Sequence, residues 1–107
     1  DLRNTLTEYI AILSINRWHG APSAQDPPAD QERKELEDLG RVKEAIRLRE
    51  KIFLLLNPTE APHIELSRLV QSAFDIYNRG DDAAASLVAI RTHSQSVLKA
   101  EWEVVKQ

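Results

Sequence analysis

Apolar residues recur along this chain at intervals of three and four. The breaks between those stretches hold most of its glycine and proline: Gly20, Gly80 and all five prolines lie outside the strongly periodic runs. Leu2, Leu6, Tyr9 and Leu13 mark the first stretch, and Ile10 broadens it. Such spacing lines one face of a helix, which predicts a helix over residues 2–18. His19-Gly20 closes it, the glycine being suited to a left-handed cap. APSAQDPPA, from Ala21 to Ala29, has three prolines and no periodicity, and reads as a surface loop.

The second helix is predicted over 30–56. Leu39, Val42, Ile46, Arg49, Phe53 and Leu56 step by three and four, with Leu36, Ile52 and Leu55 widening the face. Arg49 falls on the apolar stripe, where it must snorkel, meet a carboxylate, or mark a kink in the phasing. Between Asp30 and Lys51 seven acidic and seven basic residues alternate, the mark of a solvated helix face. Arg33–Glu37, Lys34–Asp38 and Glu37–Arg41 have four-residue spacing, worth about 0.2–0.5 kcal/mol a pair. Ile52 to Leu56 are five apolar residues in a row. A helix cannot turn all five to one stripe, so this turn is either surrounded by other helices or left as a partner surface.

Asn57-Pro58 ends the second helix, since proline disfavours helical dihedrals at the residue before it. Thr59 is the preferred cap of the third helix, predicted over 60–79, because Pro62 then sits where no intrahelical N–H bond is lost. Leu66, Leu69, Val70, Ala73, Phe74 and Tyr77 form its face. Gly80 stops it, and Asp81 is the expected cap of a fourth helix over 82–105, with Asp82 adding favourable charge. Ala83, Leu87, Ile90, Ser94, Val97, Leu98, Trp102 and Val105 form the fourth stripe. Ala84 and Ala85 allow close helix approach near its start. The expected architecture is all-α, one domain over 1–107, an antiparallel up-down-up-down four-helix bundle.

Composition narrows the function. There is no cysteine, so no disulfide, thiolate metal site or cysteine nucleophile exists. Net charge is −3, which argues against phosphate-led nucleic-acid binding. Arg41, Lys43, Arg47 and Lys51 could form a basic strip, but acids interleave it. No apolar run is long enough to span a membrane, so residues 1–107 are not expected to insert.

Motifs for catalysis are missing. His19, His63 and His93 form no HExxH and no pair at helical ligand spacing. Glu60 and His63 are three apart, but no second ExxH completes a dimetal pattern. There is no GxSxG, GxGxxG or phosphate loop. The reading therefore calls for no cofactor, no metal and no catalytic residue.

The stretches RExIxLLLNPTExxH, Arg49 to His63, and LKxEWExVK, Leu98 to Lys106, resemble helical cytosolic domains of small membrane-anchored bacterial proteins of unknown function. The resemblance implies a cytoplasmic domain with an anchor before Asp1. It carries no catalytic motif. The expectation is a non-catalytic interaction or oligomerisation module of a larger protein, with a protein partner or self-association through Ile52, Phe53, Leu55, Leu56 and Trp102. The alternatives are a small-ligand or peptide-sensing bundle, with a groove between helices two and four near Trp102 and Phe53, and an enzyme with a dispersed site.

Overall fold

Apolar stripes at helical spacing need a shared interior, and the chain provides one with four helices. In the computed structural model, residues 1–15, 17, 25 and 27–106 are described, with side chains described through residue 99. The helices are α1 (Leu2–Leu13), α2 (Pro28–Leu55), α3 (Ala61–Asn78) and α4 (Ala84–Lys106). No strand occurs among the described residues. The fold is all-α, and nothing described is long and apolar enough to cross a membrane.

The core follows most of the predicted stripes. Leu2, Leu6, Tyr9, Ile10 and Leu13 of α1 are buried, as are Leu66, Val70, Ala73, Phe74 and Tyr77 of α3. From α4, Leu87, Ile90, Ser94 and Val97 join them, with Ala83 just before the helix. Ala84 and Ala85 are exposed, and of the three alanines only Ala83 is buried. The expected Gly20 cap lies outside the described residues.

The phase of α2 differs from expectation. Ala45, Leu48 and Ile52 are its buried line. Leu39 and Ile46, on the expected stripe, are exposed, while Val42 and Phe53 pack only at the core edge. Two apolar lines exist on α2, about a quarter turn apart. Periodicity alone does not say which meets the other helices.

The helix ends also differ. α1 stops at Leu13, five residues early, with the Ser14 N–H donating to the Ile10 carbonyl. Arg17 then reaches Asp38 of α2 and the Asn78 carbonyl of α3, contacts that a continued helix would forgo. α2 begins at Pro28, where a missing N–H costs nothing. Neither Asn57 nor Thr59 caps α3. Asn57 Oδ1 instead accepts the Thr59 N–H and hydroxyl at 3.0 and 2.7 Å. Glu60 takes the cap position, and Pro62, in the second helical position, again lacks no bond.

Gly80 closes α3 as predicted, with φ 84°. The Asp81 N–H bonds the Ile76 carbonyl and the Gly80 N–H that of Tyr77, the two bonds of a Schellman cap. Asp82, rather than Asp81, serves α4: its carboxylate accepts the Ala84 N–H at 3.0 Å. Asp81 pairs with Arg79.

Candidate functional site

Three places bring polar or exposed groups together. The first is the α2–α3 corner. Because Leu56 has left helical geometry, the Asn57 N–H is free of the α2 ladder, and it donates to His63 Nδ1 at 2.9 Å. A ring nitrogen that accepts carries no proton, so the other nitrogen, Nε2, holds it and faces Glu60 Oε2 at 3.2 Å. His63 is 5% exposed. A neutral ring also suits the first turn of a helix, whose exposed N–H groups repel a cation. His93 of α4 arrives at the same corner, donating from Nε2 to the Pro62 carbonyl at 2.8 Å. These two histidines tie three helices together. No group of three or more metal-ligand side chains gathers among the described residues.

The second place lies at the other end of α3. Arg17 grips Asp38 with two hydrogen bonds, at 3.2 and 2.7 Å, and reaches the Asn78 carbonyl at 2.6 Å. A cation there satisfies a terminal helix carbonyl and complements the helix dipole. The Arg17 hydrogen bonds hold the Asp38 carboxyl below its ordinary range, with partial burial opposing them. Burial raises the neighbouring Tyr77 phenol. The nearby Arg41 charge acts against that shift. The cluster joins the segment after α1 to α2 and α3. Arg17, Asp38 and Asn78 are occupied with one another there, while the buried Tyr77 hydroxyl and Arg41 Nε have no hydrogen-bond partner among the described residues.

The third place is the surface. Of the five residues expected to form a partner face, Ile52 and Leu56 are interior, at 0% and 6% exposure, and Phe53 is half-buried. Leu55 is 41% exposed, and the Trp102 side chain lies outside the described residues. Leu54, absent from that expectation, is 87% exposed. Five consecutive apolar residues thus split by helical geometry, with Ile52 inward and Leu54 outward. On the same side of α2 stand Leu36, Leu39 and Ile46, all exposed. A helical-wheel sum over the whole of α2, rather than over its last turn, would have found this outer line.

Arg49 resolves its predicted ambiguity within α2. It pairs with Glu50 at 2.9 Å and lays its guanidinium 4.5 Å over the Phe74 ring. Ser94 donates to the Ile90 carbonyl of its own helix. The charge run behaves as a solvated face, with Arg47 and Lys51 exposed. Its arginines prefer the acid three residues earlier: Arg33 turns to Asp30, Arg41 to Asp38 and Arg47 to Glu44.

The expected α2–α4 groove near Trp102 and Phe53 depends on a side chain outside the described residues, and α2 and α4 make at most a marginal contact. A groove of about 770 Å³ opens between α1 and α4. Comparison with protein-family models, curated proteins and solved structures finds no match for this chain.

Proposed function

We propose that this chain is a non-catalytic protein-interaction module, built as an antiparallel up-down-up-down bundle and contacting its partner through the outer face of α2. The observation that carries the proposal is the uncovered apolar line of Leu36, Leu39, Ile46 and Leu54, at 63, 48, 38 and 87% exposure. Single exposed apolar residues are ordinary, but a line of them along one long helix is what a partner helix reads. Lys43 and Glu50 lie on the same face and supply charge of both signs at its rim.

The helix directions of the proposal rest on cross-helix contacts. Arg17 meets Asp38 and Asn78 at one end, Tyr9 meets Val70 midway, and Asn57 meets His63 at the other end. Those pairs run oppositely along α2 relative to α1 and α3. His93 at Pro62, after the tight turn at Gly80, supports the same for α4 against α3. A cytoplasmic location is part of the proposal through the sequence resemblance alone.

The test is the solution mass, by size-exclusion chromatography with light scattering over roughly a hundredfold range of concentration. A dimer or larger species that Ile46→Glu converts to monomer supports association through α2. An assembly unchanged by Ile46→Glu and Leu39→Glu rejects this face. A strict monomer rejects self-association and leaves a different protein as the required partner.

A further inference from the structure

In an acidic chain, arginines find acids. Arg17, Arg33, Arg41, Arg47, Arg49, Arg68 and Arg79 each pair with a carboxylate. Arg3 and Arg91 do not pair with any carboxylate of the described residues, and both line the groove between α1 and α4. Lys99, also without such a pair, lines it too, and no acid among the described residues does. With the helix directions proposed above, Arg3 and Lys99 stand at one end of the groove and Arg91 at the other.

The floor between these cations is apolar. Leu6 and Ile10 of α1 and Leu98 of α4 form it. Two hydroxyls on the lining are turned away to their own helices: Thr7 donates to the Arg3 carbonyl at 2.9 Å, and Ser94 to the Ile90 carbonyl at 2.5 Å. Gln95 is the remaining uncharged polar side chain of the lining. A small inorganic anion would leave such a floor wet, and a neutral apolar molecule would leave the cations unused.

From Arg3 to Ala11 the lining helix runs about 12 Å, the reach of a medium-length alkyl chain. The volume lies within the range of ordinary small-molecule pockets. We infer that the α1–α4 groove is a binding site for an anionic amphiphile, a carboxylate headgroup held by Arg3 and Lys99 with its alkyl chain over Leu6, Ile10 and Leu98. Arg91 at the far end selects against cations and accommodates a second acidic group. The site is separate from the α2 face, so either can fail alone.

The experiment is a titration of the isotopically labelled chain with decanoate, followed by amide chemical shifts. The expected result is saturable shifts confined to residues 3–11 and 91–99. Arg3→Gln combined with Lys99→Gln should weaken binding by on the order of tenfold, because each lost surface ion pair contributes modestly. Ala11→Trp, at an exposed position of α1, should block the groove while circular dichroism stays unchanged. Raised salt should weaken binding as well. Decylamine binding as tightly as decanoate would overturn the proposal. So would shifts centred on Leu36, Leu39 and Ile46, or a response to an acidic amphipathic peptide with none to decanoate.

Discussion

Tyr9 shows how one side chain can couple two helices. Its ring is wholly buried, and its hydroxyl donates to the Val70 carbonyl of α3 at 2.8 Å. Burial pushes the phenol well above its ordinary value of 10.0, with the Arg49 charge opposing. The folded chain therefore holds this proton more tightly than the unfolded chain does. Stability from the neutral phenol is complete below the ordinary value and declines as pH rises above it. Tyr9→Phe should cost about 1 kcal/mol at neutral pH and should flatten the alkaline loss, both measurable by urea unfolding across pH. At the α2–α3 corner, His63→Ala removes the acceptor of the Asn57 N–H. A loss of about 1–2 kcal/mol is expected, read as a lower denaturant midpoint. Tyr9 was legible as a core position from its spacing. Its hydrogen bond was not, because Val70 lies far away in the sequence.

Two glycines make opposite predictions at the level of the helix. Gly40 lies inside α2, and an added Cβ there would meet nothing within 4 Å. Gly40→Ala should stabilise the chain by about 0.5–1 kcal/mol, by reducing unfolded-state freedom and improving helix propensity. Gly80 ends α3 at φ 84°, a backbone region costly for a residue with a Cβ. Gly80→Ala should destabilise by about 1 kcal/mol, and thermal unfolding of the two variants should shift in opposite directions. The Gly80 stop could be read from the sequence, since glycine followed by aspartate interrupts a clear apolar period. The end of α1 could not. No local breaker stands at Ser14, and the early exit depends on where Arg17 finds Asp38 and Asn78.

Across the whole molecule, extents of 60 × 22 × 19 Å describe a rod. At 1.5 Å per residue, α2 alone accounts for about 42 Å of its length. Only Ala45, Leu48 and Ile52 of that helix are buried, so its N-terminal half adds little to the core. Arg17 offsets this by fastening α2 at Asp38 to the end of α3. Asp38 loses its proton more readily in the folded chain than in the unfolded one. The clamp is thus intact at neutral pH and is lost as pH falls below the ordinary aspartate value of 3.8, through the lower folded value. The thermal midpoints of the parent and Asp38→Asn should differ at neutral pH and converge on acidification through that window. A constant gap would show that Asp38 contributes by packing alone.

The sequence by itself determined the helical class, the core lines of α1, α3 and α4, and the stop at Gly80. These depend on local rules: apolar spacing near the helical period and glycine at a left-handed position. Tertiary structure decided which of two apolar lines on α2 faces inward, since both Leu48 and Ile46 satisfy the same period. It also split Ile52 and Leu56 from the exposed Leu54 and opened a groove between α1 and α4. It placed Arg3 and Arg91 on one groove, with no carboxylate partner for either among the described residues. Such outcomes depend on which helices are neighbours, and neighbours are chosen by the summed packing of all four helices, which no local spacing encodes.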